Sequence, residues 1–177
     1  MGAGSVGTAV ADAGPLIHLH EIGCVPFLRV FGALLIADSV WAEATQQDRV
    51  PPDEILSLGN VERRTVEPNA VVRITRVCGH EDLHPADYEC LCLCRDTGTD
   101  LLLTDDLALR QAAQCLGLKP VGSLGVVVRA HREGLVSLAD AEADLLALHA
   151  ASSLFVTPAI VDLAIERLHA FEQKPQP

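Results

Sequence analysis

The chain alternates short, continuous apolar runs with longer stretches in which apolar residues recur at helical spacing. Thr8 to Ala11 reads as the end of a strand stopped at Asp12, and Gly14-Pro15 opens a helix whose apolar positions Leu16, Ile17 and Leu19 lead to Gly23. Ala33 to Ala37, ALLIA, is a second buried strand, and Ser39 is expected to cap the helix after it, which carries Trp41 and Glu43. Residues 46–60 are polar at first and broken by Pro51-Pro52, so a loop or a short irregular helix is expected there. Val71 to Val77 is expected to form an extended edge segment. Pro85 opens a helix that ends at Gly98, and Leu101 to Thr104 is the next buried strand. A helix from Leu107 to Leu116 is closed by Gly117. Lys119 to Val121 is a last short strand, followed by a helix from Leu124 to Glu133 stopped at Gly134.

Strands that alternate with helices predict an α/β fold with a mainly parallel central sheet, here a core over about residues 5–134. Beyond it, Ser137 with Asp140 resembles a capping box, and Thr157-Pro158 starts an amphipathic helix through Phe171, so a helical C-terminal extension is expected over about 137–173. A length of 177 residues suits one domain. No apolar run reaches the roughly 18 residues that a spanning helix requires, and the N-terminus has no basic start leading into a continuous apolar core; a cytoplasmic protein without membrane contact is expected.

The formal charge of −11 speaks against nucleic-acid binding by a broad basic face. It leaves room for an acidic pocket that meets phosphate through bound divalent cations, which invert the local field. Two weaker motifs carry little. Gly2, Gly4 and Gly7 spell GxGxxG, yet only Met1 precedes them, and that fingerprint works after a strand aimed at a pyrophosphate. Cys78, His80, His84, Cys90, Cys92 and Cys94 have ligand chemistry but contain no CxxC pair, and cysteines two apart on a helix spread over different faces. With Cys24 and Cys115 they are expected to be reduced.

The acidic residues change the picture most. In LLLTDDLALR, residues 101–110, one aspartate is enough to cap the helix that follows, and Asp105 suits that role; a second aspartate, Asp106, asks for more. Asp12 ends a strand, Glu43 lies one turn beyond another, and Asp105 with Asp106 ends a third. In a parallel sheet all three segments meet at the carboxyl edge, where ligands bind. Asp87 sits near the start of a helix that runs back before Leu101 to Thr104, and such a helix begins at the same edge. Carboxylates crowded together repel and raise one another's pKa unless cations neutralise them. The natural cation is hard and divalent, Mg²⁺ or Mn²⁺, able to activate water and stabilise charge on a phosphate.

Asp12-Ala-Gly-Pro-Leu-Ile-His-Leu, Ser39-Val-Trp-Ala-Glu43, Ala86-Asp87-Tyr-Glu89 and Leu103-Thr-Asp-Asp-Leu-Ala-Leu-Arg110, followed by Leu116-Gly-Leu-Lys-Pro-Val-Gly-Ser-Leu-Gly125, together resemble the PIN domain, particularly its VapC-like branch. The resemblance runs from about Asp12 to Gly134 and implies a PIN-like three-layer αβα fold. It implies a Mg²⁺- or Mn²⁺-dependent ribonuclease, often the toxin of a toxin–antitoxin pair, acting on RNA and held by a cognate antitoxin protein, here expected as a homodimer. Asp12, Glu43, Asp87 and Asp106 match the acidic quartet, Asp106 being selected by the family's Thr-x-Asp spacing. Asp105 is a fifth candidate at the metal site and a rival to Asp106 for facing the ion, otherwise a cap or a partner behind the ligands, and Thr104 would orient water or a carboxylate.

Where the family more often has Gly-Glu, this chain has Ala86-Asp87, and Glu89 is a rival acid; on a helix the two project about 200° apart, so only one faces the metals. A hydroxyl residue often found beside the first aspartate is replaced by Ala13-Gly14. Arg110 is a candidate for contact with phosphate or with an acid of the pocket, whereas His18, His20, His131, His149 and His169 suit structural roles. Two alternatives are a PIN-fold binding or regulatory protein with weak cleavage, and a receiver-like or phosphatase domain. The second expects an acidic pair or a DxD motif after the first strand, and Asp12-Ala-Gly-Pro has neither.

Overall fold

The structure, a computed structural model, describes residues 7–79 and 83–172. Five parallel strands form one sheet: β1 (Thr8–Ala11), β2 (Ala33–Ala37), β3 (Val61–Arg64), β4 (Leu101–Leu103) and β5 (Lys119–Val121), in the spatial order β3-β2-β1-β4-β5. The inner strands are apolar on both faces because helices cover both. Helix α1 (Ala13–Glu21) returns the chain from β1 to β2. Helices α2 (Asp38–Thr45) and α3 (Pro52–Leu56) lead to β3, and α4 (Pro68–Cys78) and α5 (Pro85–Thr97) lead back across the sheet to β4. Then come α6 (Leu107–Cys115) and α7 (Ser123–Arg132). Helix α5 packs against β1, β2 and β4, while α7 packs on α1, which gives the helix–sheet–helix layering expected for a PIN-like fold. Helices α8 (Leu138–Ala150) and α9 (Pro158–Glu172) form the expected helical extension and pack on each other and on α7.

The strand order places the site. The chain winds one way from β1 to β2 and β3, then crosses to β4 and β5 on the other side of β1. The switch of direction opens a crevice between the carboxyl ends of β1 and β4. The layers close over Leu16, Leu19, Leu28, Phe31, Leu34, Ile36, Leu91, Leu102, Leu103 and Leu109, all shut off from solvent. The cysteines of α5, Cys90, Cys92 and Cys94, are buried in that core as free thiols, with Cys24 and Cys78 also buried and Cys115 exposed. Burial pushes the Cys92 thiol up to about 11 and that of Cys94 up to about 12, so they pack as small hydrophobes. Gly2, Gly4 and His80 lie outside the described residues. Among those described, no helix is long and apolar enough to cross a membrane.

Two local expectations are corrected. Residues 71–77 are helical, within α4: Ala70, Ile74 and Cys78 are buried at every fourth position and Val72 and Val77 are exposed, which is helical spacing in spite of the β-branched residues. Pro68 starts this helix and Gly79, at φ 66°, ends it. The edge strand lies earlier, at β3, whose sequence VERR is mostly exposed and carries no apolar signal. Segment 46–60 supplies a 3₁₀ turn (Gln46–Asp48) and α3, close to expectation. Ser39 does not cap α2. The helix begins one residue earlier, and the Ser39 hydroxyl donates to Glu89 instead.

Candidate metal centre

Asp12 follows β1 directly. Its backbone N–H donates to the Leu103 carbonyl of β4 at 2.9 Å, which holds the carboxyl ends of the two strands side by side. The Asp12 side chain caps α1, with Oδ1 accepting from the Ala13 N–H at 2.7 Å, while Oδ2 accepts from the Thr104 hydroxyl at 3.0 Å. Thr104 is fully buried, and the same hydroxyl oxygen accepts from the Asp106 N–H at 3.1 Å. One threonine thus links the acid after β1 to the acid after β4.

An open cleft of about 730 Å³ lies over these strand ends. Asp12, Glu43, Asp87 and Asp106 all line it, together with Ser39, Arg49 and His84. Four separate segments deliver the four acids: the β1 end, the last turn of α2, the first turn of α5 and the turn before α6. Burial pushes the Asp12 carboxyl up to about 6. Hydrogen bonds from Ala13 and Thr104 oppose this, and the charges of Asp87 and Glu43 add to it. Asp87 is likewise raised, first by burial, against the hydrogen bond from the His84 N–H at 2.8 Å and with the charges of Asp106 and Glu43 pushing upward. Two carboxylates are therefore held at a cost that positive charge would relieve.

Of the two rival acids on α5, Asp87 lines the cleft. Glu89 lies behind it, its carboxylate engaged 2.5 Å from the Ser39 hydroxyl. The aspartates of LLLTDDLALR exchange the roles expected for the cap. Asp106 is the N-cap of α6, with Oδ1 accepting from the Leu109 N–H at 2.8 Å, and it still borders the cleft. Asp105 turns away from it. Its Oδ1 accepts from the Ser123 N–H at 2.8 Å, and its Oδ2 accepts from the Ser123 hydroxyl at 2.5 Å and lies 2.8 Å from His18 Nδ1. The reversal follows from the turn: the second aspartate is one residue from α6, within reach of its orphan N–H groups. A Cβ on Gly122 would stand 2.6 Å from Asp105 Oδ1, so a larger residue there would push this carboxylate from its place beside Ser123. Arg110 donates from Nη1 to the Thr104 carbonyl at 3.1 Å and so braces the same turn from outside the acidic cleft.

The donor chemistry fits Mg²⁺ or Mn²⁺, which take carboxylate oxygens and keep several waters in an open site. Among the described residues no three His, Cys, Asp or Glu side chains are arranged to hold an ion as they stand. The fit is one of donor type, shared cleft and unrelieved charge. Reasoning from sequence set His84 aside with the cysteines and missed Arg49 in the cleft and the tie of His18 and Ser123 to Asp105 behind it; no local spacing marks that tie, because His18 and Ser123 reach Asp105 from distant segments.

No curated protein and no solved structure matches the chain. A family model described as PIN domain, a group generally made up of nucleases, matches residues 8–170. That match covers every strand, all four acids of the cleft and nearly all of the C-terminal helices, and on it the chain belongs to the PIN-domain family.

Proposed function

We propose that this protein is a divalent-metal-dependent endoribonuclease of the VapC-like branch, the toxin of a toxin–antitoxin pair, and that the whole chain works as one domain in the cytoplasm. The observation that carries the nuclease reading is the gathering of Asp12, Glu43, Asp87 and Asp106 on one open cleft at the switch point of the sheet, with Asp12 raised to about 6. These four are the residues that would hold Mg²⁺ or Mn²⁺. A bound ion of this kind supplies an activated water and stabilises charge on the phosphate.

The chain's own groups do the positioning. The Thr104 hydroxyl fixes the rotamer of Asp12, and the cap on Leu109 fixes that of Asp106. Arg49 and His84 border the same cleft and give it a guanidinium and an imidazole that a phosphodiester would meet. An acidic cleft also suits a basic side chain, so a cognate antitoxin would insert an Arg or Lys toward Asp12 and Asp106; a homodimer is part of this reading.

Cleavage of a mixed-sequence RNA in Mn²⁺ tests it. Wild type is expected to cut, while Asp12→Asn and Asp106→Asn fall by about a hundredfold or more, the range for loss of a group that stabilises the transition state. Wild type that never cuts RNA with either metal overturns the nuclease reading and leaves a PIN-fold binding protein.

A further inference from the structure

A second cavity, larger than the acidic cleft, is a groove of about 840 Å³ running between the end of β4, the edge strand β5, α7, the 154–157 segment and α9. Its lining is chiefly aliphatic, and the apolar side chains are left open: Phe155 is 97% exposed, Leu107 68%, Ile160 50% and Leu163 48%. A contiguous apolar surface of this kind on one face marks an interaction site.

The charge around it is opposite in sign to the rest of the molecule. Arg110, Arg129, Arg132 and Arg167 all border the groove, in a chain with 13 Lys and Arg against 24 Asp and Glu. Among the described residues none of the four forms a salt bridge. The guanidinium of Arg129 lies over the Phe31 ring at 4.8 Å and that of Arg132 over Phe171 at 5.5 Å, contacts that orient the cations without neutralising them. Two acids line the groove, Glu133 and Asp105, and Asp105 is engaged by Ser123 and His18.

We propose that this groove docks an amphipathic helix of a partner protein, with an apolar face against Phe155, Ile160 and Leu163 and acidic residues facing Arg132 and Arg167. The edge strand favours a helix over an added strand. Lys119 N–H and the Val121 carbonyl both bond toward β4, which leaves Pro120 facing outward, and proline has no N–H to offer. A second copy presenting the same groove would set arginine against arginine. RNA would find the cations but would bury few of the aliphatic side chains.

Three probes distinguish these occupants: a helical peptide of roughly 18 residues with leucines at i, i+3, i+4 and i+7 flanked by glutamates, the same peptide with lysines for glutamates, and a single-stranded RNA. Fluorescence anisotropy with the full chain is expected to give binding of the acidic peptide at least tenfold tighter than its lysine counterpart. The double variant Arg132→Glu/Arg167→Glu, both exposed positions, is expected to invert that preference, and Ile160→Asp to weaken both peptides. Circular dichroism melting confirms that each variant is folded. Equal affinity for the two peptides, absence of binding, or RNA binding that the double variant abolishes while the peptides are unaffected overturns the proposal. So does a concentration-dependent dimer in sedimentation that Ile160→Asp dissociates. The peptide measurements do not depend on whether the acidic cleft cleaves RNA, and the RNA probe is measured without divalent metal so that cleavage does not enter.

Discussion

Asp105 and Asp106 are covalent neighbours, yet one carboxylate satisfies the first turn of α6 and the other ties the same turn to α7 and α1. Substitution by asparagine therefore separates them. Asparagine caps helices about as well as aspartate, so Asp106→Asn keeps the bond to Leu109 and is expected to stay within about 0.5 kcal/mol of wild type in stability. Asp105→Asn replaces one acceptor oxygen by an NH₂ group. The Ser123 N–H keeps its acceptor, but the Ser123 hydroxyl and His18 Nδ1 then meet a donor at Oδ2's place, and a loss of about 1–3 kcal/mol is expected. Urea melts of the two variants beside wild type measure both. A stable Asp105→Asn paired with a crippled Asp106→Asn would mean that the carboxylates are exchanged. Activity should sort them differently, since Asp106 borders the cleft and Asp105 acts on it only through the turn.

At the scale of elements, α4 offers the sharpest check because a strand and a helix over the same residues bury different sets. A strand places 70, 72 and 74 on one face; the helix buries Ala70 and Ile74 and leaves Val72 half exposed. Ile74→Ala is expected to cost about 2–4 kcal/mol and Val72→Ala less than about 0.5 kcal/mol, read from chemical denaturation. Equal losses would favour the strand. The elements legible in the sequence are those with a strong local cause: apolar β1, β2 and β4, the prolines that open α5 and α9, and Gly98, which at φ 68° ends α5. β3 was illegible because an exposed edge strand needs no apolar alternation, and α4 because its β-branched residues prefer strands while tertiary packing of a single stripe decides otherwise. The acids lining the cleft were legible for a topological reason: residues just past strands of a parallel sheet must share an edge. Which of two adjacent carboxylates turns inward depends on rotamers and on Ser123, eighteen residues downstream, and no local pattern encodes that.

Across the whole molecule a charge of −11 makes any cation mildly stabilising, so site binding has to be told apart from screening. The Asp12 carboxyl supplies the discriminating signal. Its pKa is about 6 in the fold against an ordinary 3.8, so the folded state holds a proton that the unfolded state releases between these values. Stability on this account is highest below about pH 4 and falls as pH rises through 6, by roughly 3 kcal/mol for a shift of this size. Asp87, raised in the same direction, adds to the fall. At neutral pH without metal, Asp12→Asn is therefore expected to melt above wild type: the amide oxygen still accepts from Ala13, and loss of the buried charge outweighs the cost, about 1–3 kcal/mol, of the acceptor that the Thr104 hydroxyl loses. Near pH 4 that advantage should be gone. A divalent ion reverses the order, because it binds the ionised acids and stabilises wild type by RT ln(1 + [L]/Kd), about 2.7 kcal/mol at a hundredfold excess over Kd. Millimolar Mn²⁺ in a background of monovalent salt should thus raise the wild-type Tm at pH 7.5, raise it far less at pH 5 where Asp12 is protonated, and leave Asp12→Asn nearly unmoved. If Mn²⁺ shifts wild type and variant equally, the ion is screening net charge and the cleft is not a metal site.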